Sequence, residues 1–285
     1  MSGVLVIASF ALQESVRRRV FVVVALLTVA FLALYGLGTW QIAKDVDEIS
    51  GSDSNGIEGR VVAGATLLGL SMFATLFLGA ILAVFLTLGA VRGDAERGLL
   101  QPLLVRPLSR GTFLAGRFAA AAGVCAAYVV AVFVASAVIT EIFVDWWPDR
   151  IVVPAIELGA AVTIIAALAL AGSVVLSSTA NGIAIFMLFG AGLTAGLLGQ
   201  IAEALSSDTL SDVSRAASWV LPFEALYQAA LSAITVDTIG FTRFAIDLGP
   251  FGGAQSFGAL LWPYTVAYTA AVGAAALWAF HRRDL

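Results

Sequence analysis

The sequence predicts an all-α, polytopic membrane protein. The expected architecture has six transmembrane helices, an N-terminal surface helix, and an external re-entrant helical segment before the last span. Three observations carry this. Of 285 residues, 60% are hydrophobic and only 12% charged, against about 25% charged in a soluble domain. The apolar residues fall in blocks, several of them as long as the ~20 residues that cross a bilayer. The arginines cluster in a few of the segments between those blocks, as cytoplasmic loops require.

The chain reads as one transmembrane domain, residues 1–285. Residues 1–19 form an interfacial elbow: an apolar stretch, 4–12, too short to span, runs into Glu14, Arg17, Arg18 and Arg19. A short apolar helix ending in a basic cluster lies along the membrane surface. Residues 20–38 are the first span, uncharged throughout and longer than the apolar core of about 7–15 residues in a signal peptide. Residues 40–60 read as a polar, flexible loop with Lys44, Asp45, Asp47, Glu48, Asp53 and Glu58. Residues 61–91 are again uncharged. They make roughly 46 Å of helix against a ~30 Å core, so the second span is tilted or projects beyond the bilayer. Residues 118–139, 152–176, 183–205 and 258–280 are the remaining spans, with a tight turn at 177–182. Trp146 and Trp147, between the third and fourth spans, suit a membrane–water interface.

Residues 206–257 contain an apolar run, 219–234, interrupted by Pro222 and Glu224. Charge decides its status. With six spans and the N-terminus inside, the inner segments hold Arg17, Arg18, Arg19, Arg92, Arg97, Arg106, Arg110, Arg117, Arg282 and Arg283. Those are ten of the fifteen basic residues, beside four acids, Glu14, Asp94, Glu96 and Asp284. The inner net charge is +6, which leaves −10 elsewhere and −4 overall. Arginine and lysine in short loops face the cytoplasm. Both termini are therefore expected to be cytoplasmic, in a plasma (inner) membrane. Residues 206–257 become an external re-entrant or surface hairpin rather than a seventh span.

Residue counts remove several chemistries. Cys125, His281 and Lys44 are each the single residue of their type. A zinc site with paired Cys or His ligands cannot be built within one chain. A P-loop needs Gly-Lys-Ser or Gly-Lys-Thr, and neither occurs. No enzymatic activity, metal or cofactor is expected in this chain, and the arginines follow the topology rule without calling for nucleic acid.

The segment 92–117 is the most informative. Asp94 to Arg97 form a charged turn. Residues 99–105 are a short apolar helix candidate with Pro102 inside it and Pro107 beyond it. Ser109 is a helix N-cap candidate opening the run into the third span. The segment is either a docking surface or a loop whose arginines fix topology.

Its pattern resembles the ABC-2 type permeases: Glu96, Gly98, Leu100, Leu103-Leu104, Pro107, Ser109-Arg110 and Gly116-Arg117. The elbow arginines, Leu221-Pro222-Phe223 and the terminal Arg-Arg-Asp-Leu are also similar. The spacing looks closest to the branch containing the permease of nitrous-oxide-reductase maturation. The chain departs from the pattern at Leu99, where Ser or Thr is common, and at Pro102. The resemblance implies the transmembrane subunit of an exporter, pairing with itself as a homodimer and with a separate ABC ATPase that binds ATP and Mg. It implies that Asp94, Glu96, Arg97, Gly98, Leu100, Leu103, Leu104 and Arg106 couple to that ATPase. It also implies that the elbow with Glu14, Arg17, Arg18 and Arg19 touches it.

Other candidates are weaker. Glu157, about five residues into the fourth span, is either a solvated or hydrogen-bonded boundary residue or a transport group. Glu203, at the far end of the fifth span, has the same two readings. Gly192 and Gly196 form a Gly-x-x-x-Gly element for close helix packing within one subunit, or else mark a dimer seam or pathway lining. Phe73 and Phe77 share one helix face and either line an apolar path or pack against lipid and core. The competing functions are a proton-coupled secondary transporter and a non-transporting membrane scaffold. The charge-poor spans admit lipids, hydrophobic drugs or peptides as substrate and sit among membrane lipids. Cysteine-accessibility labelling at the C-terminus tests the topology. Labelling from the cytoplasmic side is expected, and labelling only from outside overturns six spans.

Overall fold

The computed structural model describes residues 19–50, 55–87, 109–234 and 257–282. They form eight helices: α1 (Arg19–Ser50), α2 (Asn55–Thr87), α3 (Arg110–Val144), α4 (Val152–Val175), α5 (Ser178–Leu205), α6 (Asp208–Val220), α7 (Pro222–Ala233) and α8 (Leu261–His281). No strand occurs among the described residues. Helices α1 to α5 each contain a stretch long and apolar enough to cross a membrane. The 21-residue α8 lacks Asp, Glu, Lys and Arg. Trp262, Pro263, Tyr264 and Tyr268 dilute its apolar character, and it falls outside that group of five.

The helices outrun the expected spans. Residues 40–50, expected as loop, continue α1, and α2 already begins at Asn55. The cause is local. Gln41 donates to Asp45 at 3.1 Å, and the Lys44 ammonium lies 3.7 Å from the Trp40 ring centre. Both are i,i+4 contacts that support an exposed helix. Helix α3 likewise runs past residue 139 to Val144 and ends at Asp145, whose φ of 58° is left-handed. Aspartate tolerates that region better than most residues. The turn expected at 177–182 is confined to Leu176 and Ser177. Asn181 already lies in α5, and its side-chain amide donates to the Ala169 carbonyl of α4 at 2.8 Å. The long second helix matches its expected excess over the bilayer: 33 residues make about 50 Å of helix.

Helix α4 is the centre of the bundle. It packs against α2, α3, α7 and α8, whereas α1 touches mainly α2 and α3. Two-thirds of the apolar window of α4 is buried, against 11% for α1, so α1 is the outermost span. Contact between α2, α3 and α4 depends on Gly79. A Cβ there would stand 2.5 Å from Val129 and 3.0 Å from Val162, so a larger residue pushes three helices apart. Trp146 is buried in the core with its ring on Gly64, while Trp147 stays 44% exposed. Hydroxyl pairs, one buried and one partly buried, tie α1 to α3. Tyr35 and Thr140 share a hydrogen bond of 2.6 Å, and Thr28 and Tyr128 share another of the same length.

Beyond α5 the chain reverses twice. Helix α6 returns along α5, where the Ser214 hydroxyl donates to the Ala195 carbonyl at 2.8 Å. At Leu221 it turns into α7, with Pro222 in the first turn, where a missing N–H costs nothing. All of α7 except Ser232 is buried, packed along α4. Residues 222–233 are therefore enclosed by the chain's own helices, while Trp219 and Val220 at the start of the apolar run stay exposed.

Replacing Gly79 with valine is expected to lower stability by about 1–3 kcal/mol through overpacking. The additional change Val129→Ala should recover part of the loss. Thermal melts in detergent check both.

Candidate functional site

The described residues bracket the segment that carries the sequence pattern. Asp94, Glu96, Arg97, Gly98, Leu100, Leu103, Leu104 and Arg106 lie outside them, as do Glu14, Arg17 and Arg18. Arg19 opens α1. On one flank α2 ends at Thr87. On the other, Ser109 caps α3 as its position predicts, its side chain accepting from the Thr112 N–H at 3.1 Å. Arg110 reaches across to α8. Its guanidinium donates to the Phe280 and His281 carbonyls at 2.9 and 3.3 Å and lies 5.6 Å from the Phe280 ring centre. A cation at the C-terminus of a helix meets the negative end of its dipole and the carbonyls left without helical partners. The first residue of α3 thus holds the last turn of α8.

Deeper in the molecule an aromatic tier joins α2, α5 and α7. Phe73 stacks on Phe77 at 6.5 Å and meets Phe189 at 6.1 Å and Tyr227 at 6.4 Å. Phe77 meets Phe186 and Phe189 at 6.2 and 5.6 Å. Phe189 stacks on Phe223 at 6.0 Å. These separations fall in the range of attractive ring pairs. Gly192 is what lets Phe223 in, since a Cβ there would stand 2.8 Å from its ring. The structure therefore brings Phe73, Phe77 and Gly192 into one cluster. Phe73 is half-buried, while Phe77 keeps 39% exposure at its edge. Gly196 is buried one turn further along α5.

Glu157 is not a solvated boundary residue. It is 7% exposed, and its Oε2 has no hydrogen-bond partner. The reason is tertiary: α4 is surrounded by other helices from its first turns. Glu203 lies in the last turn of α5. Sequence reasoning missed a second buried acid. Glu224, in the first turn of α7, is 1% exposed and accepts from the Gln228 side-chain amide at 3.3 Å. The i,i+4 spacing of Glu224 and Gln228 was the available signal. Tyr227, between them, directs its hydroxyl toward the Gly69 carbonyl of α2 at 3.5 Å.

Gln228→Leu should leave the Glu224 carboxyl without its amide and destabilise the protein by roughly 1–3 kcal/mol. Replacing both residues by leucine is expected to recover much of that loss, because no buried polar group is then left unpaired. A double-mutant cycle of melting temperatures measures the coupling.

The model of the ABC-2 family transporter protein matches residues 5–285. No curated protein matches the chain. With the match running over nearly its full length, the chain belongs to the ABC-2 family of transporter proteins and is a multi-pass membrane protein.

Proposed function

We propose that this chain is the transmembrane permease subunit of an ATP-driven exporter. The observation that carries the reading is the family match over residues 5–285 in a sequence without Gly-Lys-Ser or Gly-Lys-Thr. A permease of this kind requires a separate ATPase, which would bind ATP with Mg. Two copies of the permease would pair, with both termini in the cytoplasm of a cell whose plasma (inner) membrane holds them. In this reading α8 is the sixth span. Helices α6 and α7 form a hairpin that enters from the outer face and returns. Two contacts support re-entry. The Ile234 carbonyl accepts from the Asp149 N–H at the α3–α4 connection, at 3.4 Å. At the other end of α7, Phe223 stacks against Phe189, well inside α5. The spacing within 92–117 favours the nitrous-oxide-reductase-maturation branch.

The mechanism follows from how the ends are tied. ATP binding draws the two ATPases together and moves the 94–106 segments, aided by the elbow with Glu14, Arg17, Arg18 and Arg19. Helices α2 and α3 leave that segment directly, so they move first. Arg110 carries the movement of α3 to α8. Helix α2 carries it to α5 and α7 through Phe73 and Phe77. The aromatic tier then switches an apolar path between inward and outward access. Such switching requires the ATPase to contact the two states differently.

Buried Glu157 supports a second reading, proton-coupled secondary transport, because an unpaired acid at membrane depth is a natural proton carrier. The two readings separate cleanly. Co-purification is expected to recover a P-loop ATPase in stoichiometric amount. Glu96→Ala or Arg97→Ala is expected to cut transport at least tenfold while the ATPase alone keeps turning over. Full transport-linked ATP hydrolysis in these variants removes the coupling role. Proton-driven uptake by the isolated chain in liposomes replaces the first reading with the second.

A further inference from the structure

Helix α8 is buried at its two ends and not between them. Its buried residues are Leu261 and Thr265 in the first turns and Ala276 and Phe280 in the last. Every residue in 266–275 is exposed or half-buried. The two ends belong to different cores. Leu261 joins the main cluster, which also holds Phe223, Leu226 and Ala230 of α7. Ala276 and Phe280 join a separate cluster with Phe113 and Leu114 of α3 and Leu170 and Val174 of α4.

Each end also carries a polar tie to another element. At the end nearer the 88–108 connection, the Arg110 guanidinium donates to the Phe280 and His281 carbonyls. The Phe113 ring lies 6.4 Å from that of Phe280, so the first turn of α3 grips the last turn of α8 by cation and by ring. At the opposite end the Tyr264 hydroxyl donates to the Trp219 carbonyl, and the two rings meet edge to face at 4.7 Å. Trp219 stands just before Leu221, the joint between α6 and α7. From Tyr264 to Phe280 α8 is one unbroken helix, about 24 Å long. Pro263 falls in its first turn, where the missing N–H breaks no helical bond.

A helix without an internal proline or inserted side chain bends only gently, so it carries a displacement along its length. In its middle α8 offers small residues, Ala270, Gly273 and Ala274, to the groove of about 890 Å³ beside α3 and α4. A Cβ on Gly273 would meet nothing within 4 Å. No buried side chain of 266–275 absorbs movement between the two ties. We propose that α8 is a tie rod coupling the first turn of α3 to the α6–α7 joint at the opposite end of the bundle. Its two arrangements are the hairpin seated, as here, and the hairpin eased away. Arg110 and Tyr264 both favour the seated one. Coupling between distant sites requires an element that both of them bias in this way. What the coupling serves rests on the permease reading, in which the 88–108 connection moves α3. The coupling itself is a property of the isolated chain, so its failure leaves that reading standing.

The test changes one end and reads the other. Ser218 on α6 is 3% exposed. In the full-length Cys125→Ser protein in mild detergent, the thiol of Ser218→Cys reacts with a maleimide only when the hairpin eases. Arg110→Gln is expected to raise that labelling rate about fivefold, the weight of one hydrogen bond on a local opening. Tyr264→Phe should do the same. Combining the two should add little, because a rod released at one end no longer transmits from the other. Independent sites this far apart would instead multiply, to about 25-fold. Ser71→Cys on α2, 1% exposed, is the control and should label at an unchanged rate. An unchanged rate at Ser218→Cys in the Arg110→Gln protein overturns the proposal. So does a multiplied rate in the combined variant, or an equal rise at Ser71→Cys, which means general loosening. If Arg110→Gln fails to fold, Arg110→Lys keeps a donor for the carbonyls without the guanidinium fork. It should give a smaller rise confined to Ser218→Cys, and no rise there overturns the proposal as well.

Discussion

In a bilayer, helices gain nothing hydrophobic by leaving lipid for one another, because lipid tails are as apolar as leucine. Association rests on close packing and on a few buried hydrogen bonds. This constraint explains why the molecule is organised around α4 and why Gly79 matters. Where Gly79 meets Val129 and Val162, three helix backbones come close enough for dense contact. Phe133, Leu158 and Ile165 fill the surrounding space with almost no exposure. Each atom pair contributes little, yet the sum over such interfaces is large.

The same constraint divides the chain into parts held with different firmness. Helices α2, α3, α4 and α7 share one core. Helix α1 enters it with Val24 alone among its fully buried residues and is tied by the Tyr35–Thr140 and Thr28–Tyr128 hydroxyl pairs. In membrane bundles such bonds average only about 0.6 kcal/mol each. Helix α8 meets α3 and α4 beside a groove, and its last turns are held by the Phe113, Leu114, Leu170, Val174, Ala276 and Phe280 cluster and by Arg110. A transporter has to move some helices past others.

Much of this was legible in the sequence, and the failures are instructive. The uncharged runs located all the long helices, because length and polarity suffice for that. Their ends were misjudged because charged residues do not stop a helix outside the bilayer. Residues 40–50 remain helical through contacts such as Trp40–Lys44, which a hydropathy profile treats as loop. Ser109 was readable as a cap because capping is local, needing only the Thr112 N–H three residues on. That Trp146 packs its ring over Gly64 was not legible, because that space is made by a different helix. Glu157 and Glu224 failed for the same reason, since burial is set by neighbours far away in sequence.

By itself, the sequence determined the membrane class, the helical architecture, the positions of the long apolar segments and the resemblance that the family match bears out. Those properties follow from composition, run length and local motifs. The tertiary structure alone decided that α7 lies inside the bundle, and that Phe73, Phe77, Phe189 and Phe223 form one tier. It alone showed that Arg110 holds α8 and that a groove opens between α3, α4 and α8. Each of these depends on which helix faces meet. An apolar helix in a bilayer carries little amphipathic signal to announce that choice, because its lipid-facing and protein-facing sides are built from the same residues.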